Sequence, residues 1–458
     1  MSHVSPNEYL KKILLAPVYE AAVNSDCVLM NRLSSELGNQ IYLKREDQQP
    51  VKSFKLRGAY NRISQLSDEQ LAKGVIAASA GNHAQGMAYA AKQKKIHATI
   101  VMPETTPDIK VDAVRRFGGK WVEIVQHGTS FDTASKYAQA LCVERELTYI
   151  PPFDDPDVIA GQGTIAREML EQQPDLDTLF VAVGGGGLAA GIAVYVKQLK
   201  PEIKIIAVES EESACLKAAL AAGEPVTLPT VGIFADGVAV KTIGTETFRL
   251  CQQYVDEVIT VSNDEICAAI KDIFDDTRVI AEPAGALSIA GIRQYCQTHK
   301  VTGHHFGGIL CGANINFHTL RYVSERCELG ERKEAVFAVK IPEVTGSFKR
   351  FCEVLGGINI TEFNYRFANA QQAYVFVGVK LKRGLEEYAE LTATLAENGY
   401  EAIDLSNDEL AKLHIRHMVG GKPPVAIAER VFGFEFPEYP GALMHFLKTL
   451  GERWNITL

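Results

Sequence analysis

The sequence predicts an α/β protein built on a parallel sheet, followed by a smaller α+β unit. From the N-terminus to about residue 330, short apolar runs alternate with segments of helical spacing. This alternation is typical of a parallel sheet with helices on both faces. Beyond residue 334 the predicted order becomes β-α-β-β-α-β, which is the ferredoxin-like arrangement.

The strands of the first region are short apolar runs that end near glycine, proline or charged residues. We predict strands at residues 74–79, 98–102, 120–125, 179–183, 203–209 and 306–310. Helices are predicted where apolar residues recur at helical spacing, at residues 86–95, 109–117, 129–146 and 188–200. Because neighbouring parallel strands need a crossover between them, this alternation favours a parallel sheet.

The second region is separated from the first by the charged stretch 327–334, which is typical of a linker. Its strands are predicted at residues 335–341, 359–367, 373–381 and 401–405, and its helices at 346–355 and 385–397. We therefore expect a first domain at residues 1–330, made of two α/β subdomains, and an α+β domain at residues 331–418.

An internal repeat begins about 95 residues after the second region starts, where residues 429–432 match residues 334–337. Further matches at the same offset indicate a repeat and not chance composition. The chain stops at Leu458, where the second strand of the copy is predicted to begin. We expect this partial copy, residues 429–458, either to pack on something else, because it is too short to bury its own apolar face, or to be a shortened form of a complete copy.

Composition and charge narrow the range of partners. The 458 residues correspond to about three domain-sized units, and 47% apolar with 22% charged residues is ordinary for a globular protein. The formal net charge of −9 disfavours nucleic acid and anionic membranes as partners. No run approaches the roughly 18 apolar residues of a membrane span, and the N-terminus does not resemble a signal peptide.

The nine cysteines are scattered, odd in number and without a C-x-x-C pair. This pattern argues against a disulfide framework and against a zinc site. It is typical of a protein from a reducing compartment, so we expect a cytoplasmic location.

One lysine is a candidate for covalent chemistry. Lys55 follows Phe54 and precedes Arg57-Gly58-Ala59. An imine-forming lysine needs a partly desolvated setting that lowers its pKa and keeps the amine nucleophilic, and an aromatic neighbour helps to provide one. The alternative is an ordinary solvated surface lysine, which is the usual state of this residue type.

A run of four glycines is a candidate for phosphate binding. Gly184, Gly185, Gly186 and Gly187, followed by Leu188, lie between a predicted strand and a predicted helix. Such a loop lets backbone N–H groups converge on an anion at a helix N-terminus, although it could also be only a tight turn. A phosphate loop together with an imine-forming lysine is what pyridoxal phosphate (PLP) requires of a protein.

Two more segments carry suitable polar groups. The first, a loop between a strand and a helix, could hold a carboxylate, or it could only cap the helix; it comprises Ser79, Ala80, Gly81, Asn82 and His83. The second follows the strand at 306–310 and begins with Cys311. Cys311 could be a neutral partner for a pyridine nitrogen, or simply a small buried apolar residue.

These motifs occur in an order and at a spacing that resemble the fold-type-II PLP enzymes (tryptophan synthase β-like), specifically the serine/threonine dehydratases. The C-terminal region resembles the paired ACT-like regulatory region of the biosynthetic threonine deaminases. The resemblance covers essentially the whole chain. It is carried by Ser53-Phe54-Lys55, Ser79-Ala80-Gly81-Asn82-His83, Gly184-Gly185-Gly186-Gly187-Leu188, Cys311-Gly312-Ala313-Asn314, Thr361 to Phe367 and Phe434 to Gly441.

The resemblance implies a role for each motif. Lys55 would hold PLP, Phe54 would pack on its ring and Asn82 would bond the ring hydroxyl. Residues Gly184 to Leu188 would bind the phosphate, and Cys311 would face the pyridine nitrogen. The loop from Ser79 to His83 would hold the substrate carboxylate.

The resemblance also implies the reaction. L-Threonine, and to some extent L-serine, would be dehydrated, and hydrolysis of the product would release ammonia; threonine would give 2-oxobutanoate, the committed step of isoleucine biosynthesis. Isoleucine would inhibit through the C-terminal region and valine would activate, in a homotetramer. Candidate effector residues are Gly346, Ser347, Asn364 and Arg366, although these could serve only to build the unit.

Three departures from the family pattern sharpen the prediction. Cys311 stands where many relatives carry serine. Cysteine and serine are both too weak as hydrogen-bond acceptors to keep a pyridine nitrogen protonated, so elimination is favoured over full quinonoid chemistry. Ala80 stands where related racemases carry a catalytic serine, so racemisation should be poor. Cys215 stands where a carboxylate would complete a cation site with Glu209, so we expect no divalent metal.

Two other hypotheses remain open from the sequence. One is a different PLP enzyme of the same fold, such as a serine-specific dehydratase or a synthase. The other is an amino-acid sensor whose enzyme domain is inactive, against which the retention of Lys55 and the glycine loop argues.

Overall fold

The computed structural model describes residues 4–330, 334–356, 358–369, 371–381, 383–406 and 448. The chain divides into two compact units, Met1–Cys327 and Glu328–Leu458. Among the described residues, no helix is both long enough and apolar enough to cross a membrane.

The first unit alternates strands and helices. Its strands are β1 (Cys27–Leu29), β2 (Gln40–Arg45), β3 (Val75–Ala78), β4 (Ala98–Met102), β5 (Val122–Gln126), β6 (Thr148–Tyr149), β7 (Thr178–Ala182), β8 (Lys204–Ser210), β9 (Glu257–Val261) and β10 (His305–Leu310). Its helices are α1 (Pro6–Leu14), α2 (Asn31–Leu37), α3 (Lys55–Ser64), α4 (Asp68–Lys73), α5 (Asn82–Lys94), α6 (Asp108–Gly118), α7 (Phe131–Glu144), α8 (Pro156–Gln172), α9 (Gly187–Leu199), α10 (Cys215–Ala222), α11 (Thr245–Tyr254), α12 (Asn263–Thr277), α13 (Pro283–His299) and α14 (Phe317–Gly330).

These strands form two sheets. The larger has the order β1-β2-β10-β7-β8-β9 and is parallel except at β1, which pairs antiparallel with β2. The smaller has the order β5-β4-β3-β6 and is parallel throughout. The central strands β3, β4 and β7 are buried along their whole length, as expected for sheets covered by helices on both faces. The predicted parallel α/β architecture is confirmed.

The second unit has the predicted element order. It comprises β11 (Glu334–Pro342), α15 (Ser347–Leu355), β12 (Asn359–Asn369), β13 (Gln372–Lys380), α16 (Leu385–Glu397) and β14 (Glu401–Asp404). Its sheet has the order β12-β13-β11-β14 and is antiparallel, and Phe337, Phe351 and Val375 are among its core residues. The ferredoxin-like arrangement is therefore confirmed.

The structure differs from the prediction at several boundaries. The helix predicted at 86–95 is α5, which begins four residues earlier, at Asn82. The stretch 327–334, predicted as a linker, begins inside α14 and ends in β11, because its charged residues are compatible with a helix end. The strand predicted at 120–125 starts only at Val122, since the preceding glycine and its neighbours form a short 3-10 turn. The predicted partial repeat at 429–458 lies outside the described residues except for residue 448.

Candidate active site

Lys55 is the first residue of α3, and the segment in front of it is held in place by a distant part of the chain. Residues 52–54 run antiparallel to residues 311–313, which directly follow β10. Two backbone hydrogen bonds join the segments, from the N–H of Phe54 to the carbonyl of Cys311 at 3.2 Å and from the N–H of Ala313 to the carbonyl of Lys52 at 3.0 Å. This clamp brings two of the predicted motifs side by side.

The Lys55 amine lies in an apolar setting. Its Nζ donates a hydrogen bond to the Pro152 carbonyl at 3.1 Å and lies 5.4 Å from the centre of the Phe54 ring. Burial lowers the pKa of Lys55 to about 8, against the opposing effects of nearby Cys311 and Glu282. A substantial fraction of the amine is therefore neutral near pH 8, as a nucleophile requires.

A buried network of four charged side chains holds α3 in place. The Arg57 guanidinium donates to Glu46 at 2.8 Å and to Glu168 at 2.9 Å. Lys44 on β2 forms a second ion pair with Glu168 at 2.7 Å, and all four side chains are fully buried. Two cations thus balance two carboxylates next to the helix that begins with Lys55. The sequence analysis missed this network because its members lie far apart in the chain.

The glycine loop connects β7 to α9 in the predicted way. Gly186 has a φ of 89°, which favours glycine, and it is the residue that caps α9. The carbonyl of Gly185 accepts a hydrogen bond from the Thr247 hydroxyl at 2.7 Å, and that of Gly184 accepts one from the Cys215 thiol at 3.2 Å. Within the described part of the chain, the N–H groups of Gly184, Gly185 and Gly186 have no acceptor. An anion at the start of α9 would satisfy them.

The loop from Ser79 to His83 joins β3 to α5. The Ser79 hydroxyl accepts hydrogen bonds from the N–H groups of Gly81 and Ala84, both at 3.3 Å, so it caps the helix as the alternative interpretation expects. His83 is buried, with Nε2 at 3.0 Å from the Ile150 carbonyl. Burial and the nearby Lys55 lower the pKa of His83 to about 3, so its ring is neutral. Because a carbonyl only accepts, Nε2 carries the proton.

Asn82, at the start of α5, belongs to a group of three side chains. Its Nδ2 donates to Glu282 Oε1 at 2.6 Å, and its Oδ1 accepts from Asn314 Nδ2 at 2.7 Å. The backbone N–H of Asn314 donates to Glu282 Oε2 at 3.1 Å. The sequence analysis missed Glu282, although an acidic residue between the apolar run 279–281 and Pro283 was a usable signal.

Cys311 lies at the end of β10 and is buried, with its Sγ 3.6 Å from the Ile309 carbonyl. Burial raises the pKa of this thiol, so it stays protonated and neutral at physiological pH. Its neutrality is compatible with the predicted role beside a pyridine nitrogen, and that role stays a prediction.

The Glu209 carboxylate, predicted to belong to an incomplete cation site, is used by α10. It accepts hydrogen bonds from the N–H groups of Leu216 and Lys217 at 2.8 and 2.9 Å. Burial raises the pKa of Glu209 to about 7. Among the described residues, no group of three or more histidine, cysteine or acidic side chains could hold a metal ion.

The candidate effector residues lie at two places in the second unit. Gly346 has a φ of 85° and caps α15, whose first residue is Ser347. The Ser347 side chain is buried and its Oγ has no partner among the described residues. Asn364 and Arg366 are two positions apart on β12, with no bulge between them. The Arg366 side chain lies outside the described part of the chain.

Comparison with known proteins decides the family. The pyridoxal-phosphate dependent enzyme family matches residues 18–312, and the C-terminal regulatory domain of threonine dehydratase matches residues 325–415 and 425–458. The biosynthetic L-threonine dehydratase of Escherichia coli (strain K12) is 60% identical over 98% of this chain and 87% of its own length. The chain belongs to the biosynthetic threonine dehydratase family.

More distant relatives agree with this assignment. The mitochondrial threonine dehydratase of Saccharomyces cerevisiae is 48% identical over 98% of this chain and 80% of its own length. The solved structure of threonine deaminase isoform 2 from Solanum lycopersicum matches 70% of this chain and 92% of its own, with 49% identity and a TM-score of 0.68. Serine racemase from Dictyostelium discoideum matches 67% of this chain and 99% of its own, with 32% identity and a TM-score of 0.62.

Membership of the family makes PLP the cofactor, and the residues present fit it. The buried Lys55 has a lowered pKa and forms no ion pair among the described residues. The glycine loop offers backbone N–H groups without acceptors at a helix N-terminus, as a phosphate requires. Both features would be costly in a protein that bound nothing there.

Proposed function

We propose that this chain catalyses the dehydration and deamination of L-threonine to 2-oxobutanoate and ammonia, the committed step of isoleucine biosynthesis. The observation that carries the proposal is the buried, weakly basic Lys55, with Glu282 nearby and Asn82 hydrogen-bonded to Glu282, in a chain 60% identical to a biosynthetic threonine dehydratase. When bound, PLP supplies an electron sink that stabilises negative charge at the substrate Cα.

The chain supplies binding and proton transfer. Lys55 would hold the cofactor through Nζ, and after the substrate amine displaces it, the freed Lys55 amine would take the proton from the substrate Cα. A pKa of about 8 suits a general base near neutral pH. Loss of the β-hydroxyl as water leaves aminocrotonate, which takes up water and releases ammonia to give 2-oxobutanoate.

The remaining site residues would bind and orient. The N–H groups from Gly184 to Leu188 would hold the cofactor phosphate, and Phe54 would pack on the ring. The loop from Ser79 to His83 would hold the substrate carboxylate, with the Ser79 hydroxyl also capping α5. Cys311 would face the pyridine nitrogen as a neutral thiol, because burial raises its pKa.

Replacing Lys55 tests the proposal. We expect Lys55→Ala to lower kcat for threonine by at least about a hundredfold, the usual contribution of a general base, and to abolish the absorbance band of lysine-bound PLP. Lys92→Ala, an exposed lysine on α5, is the matched control and should behave like the wild type. Turnover of threonine by Lys55→Ala at the wild-type rate would contradict the proposal.

L-Serine should also react, because one substrate methyl in an apolar pocket is worth only about 1–3 kcal/mol. The ratio of kcat/KM for threonine and serine measures this preference. A large excess for serine would favour the serine-specific alternative.

The second unit would regulate the enzyme by binding amino acids, isoleucine as inhibitor and valine as activator. Support comes from the match to the regulatory domain of threonine dehydratase and from the unpartnered Ser347 Oγ at the N-terminus of α15. A helix N-terminus with a free hydroxyl suits an amino-acid carboxylate. Gly346, Asn364 and Arg366 are the further candidates.

Titration calorimetry of the full chain with isoleucine tests the regulatory site. We expect Ser347→Ala to weaken isoleucine binding about tenfold to a hundredfold, since one hydrogen bond to a charged group is lost. Thr392→Ala, at an exposed position of α16, is the control and should bind as the wild type does. Unchanged binding by Ser347→Ala would exclude Ser347 as a contact.

The assembly, location and domain limits are also proposals. We propose a homotetramer in the cytoplasm, with a catalytic domain at residues 1–330, an ACT-like domain at 331–418 and a partial copy at 429–458. The absence of membrane-spanning helices in the described part of the chain is compatible with this location. Light scattering of the purified protein measures the number of subunits.

A further inference from the structure

Glu282 is a buried carboxylate that none of the roles proposed above explains. It directly precedes α13 and is only 4% exposed. Among the described residues no lysine or arginine forms an ion pair with it; its side-chain partners are the Asn82 amide and the N–H of Asn314. Burying a carboxylate without a cation is costly, so its retention beside Lys55 and Cys311 requires a reason.

The hydrogen bonds of Glu282 determine how the Asn82 amide is oriented. Glu282 is an acceptor, so it must face the Nδ2 group of Asn82, while Asn314 donates to Asn82 Oδ1 from the other side. The opposite flip of the amide would break both contacts. One of the two Nδ2 hydrogens is thereby used, and the other has no acceptor among the described residues.

The Glu282 carboxylate lies against Gly312, which belongs to the pairing of residues 52–54 with residues 311–313 in front of Lys55. A Cβ atom at Gly312 would overlap Glu282 Oε1, so a side chain at this position would force the carboxylate to move. The carbonyl of Gly312 also accepts a hydrogen bond from the Glu282 N–H at 3.1 Å. The same residue thus pairs with Ser53 and makes room for Glu282.

We infer that Glu282 is a positioning residue, whose carboxylate fixes the Asn82 amide so that one Nδ2 hydrogen is kept for the cofactor. The inference rests on the proposed function, in which Asn82 bonds the ring hydroxyl of PLP. Glu282 acts through Asn82 and contacts neither substrate nor cofactor itself.

Four charged or titratable groups face Glu282 from the elements around it. They are Asp236, Lys110 on α6, Lys55 on α3 and Cys311 after β10. Burial, and after it Asp236, raise the pKa of Glu282 to about 7. Protonation would occupy one of its two accepting oxygens, so variants are best compared at pH 8, where the carboxylate is ionised.

The test is a double-mutant cycle on PLP binding by the apoprotein of the full chain, read from absorbance and fluorescence at pH 8. We expect Glu282→Gln to weaken PLP binding about tenfold, because an amide cannot accept at both oxygens. Asn82→Ala should weaken it at least as much. If Glu282 acts through Asn82, the double variant binds PLP no more weakly than Asn82→Ala alone.

The control is Ser288→Ala on α13, the helix that Glu282 precedes. It removes the two buried hydrogen bonds between the Ser288 hydroxyl and the backbone of Ile309. Its PLP affinity should stay within about twofold of the wild type. If Glu282→Gln does not fold, Glu282→Asp replaces it in the double-mutant cycle. The aspartate side chain is shorter by one methylene, so its carboxylate lies farther from Asn82.

Two results would overturn the inference, and they are distinguishable from failure of the proposed function. Additive losses in the double variant, or wild-type affinity in Glu282→Gln, would show that Glu282 does not act through Asn82. Wild-type protein that neither binds PLP nor consumes threonine would remove the proposed function itself, and the inference with it.

Discussion

Lys55 shows what residue-level sequence analysis can predict and where it ends. Its neighbours and the distant glycine loop mark it as a cofactor lysine. Its lowered pKa depends on burial in the folded protein, which the motif alone does not show. Glu282 is the opposite case, because its contact with Asn82 joins residues 200 positions apart and no local pattern predicts it.

The lowered pKa of Lys55 predicts how its reactivity depends on pH. The neutral amine is the reactive form, so labelling of Lys55 in the apoprotein by an amine-directed reagent should rise from pH 6, reach half its maximum near pH 8 and level off above about pH 9. Mass spectrometry of the peptide that contains Lys55 measures the rate. A rate that still climbed steeply between pH 9 and 10 would show that burial does not lower the pKa of this group.

At the scale of elements, apolar runs and glycine boundaries predicted β3, β4, β7 and β8 to within one or two residues. β2 was missed because it carries Lys44, a fully buried cation that looks in the sequence like a surface residue. Its placement depends on Glu168 of α8, far along the chain, so only the tertiary structure explains it.

The buried ionic network of Arg57, Lys44, Glu46 and Glu168 leads to a prediction about stability. Arg57→Met keeps the side-chain volume but leaves the Glu46 and Glu168 carboxylates with one buried cation between them. We expect the free energy of unfolding to fall by about 3–5 kcal/mol, measured by urea denaturation.

Arg167→Met is the control for this experiment, because it removes only a partly exposed ion pair with Glu171. Such a pair contributes less than about 1 kcal/mol. Equal losses in Arg57→Met and Arg167→Met would mean that the buried network adds nothing beyond a surface pair.

At the scale of the whole molecule, the two units have separate hydrophobic cores, with the second built around Phe337 and Phe351. Calorimetry of the full chain should therefore show two thermal transitions. PLP should raise the midpoint of one and isoleucine that of the other, because each ligand stabilises the unit that binds it. A single transition, raised equally by both ligands, would contradict this expectation.

The pairing of residues 52–54 with residues 311–313 has a consequence for biosynthesis on the ribosome. A nascent chain emerges N-terminus first, and the lysine segment leaves the exit tunnel long before its partner has been translated. Until residue 313 has emerged, nothing can complete the clamp in front of Lys55. Stable capture of the vitamin-derived coenzyme must therefore wait until nearly the entire catalytic region has been synthesised.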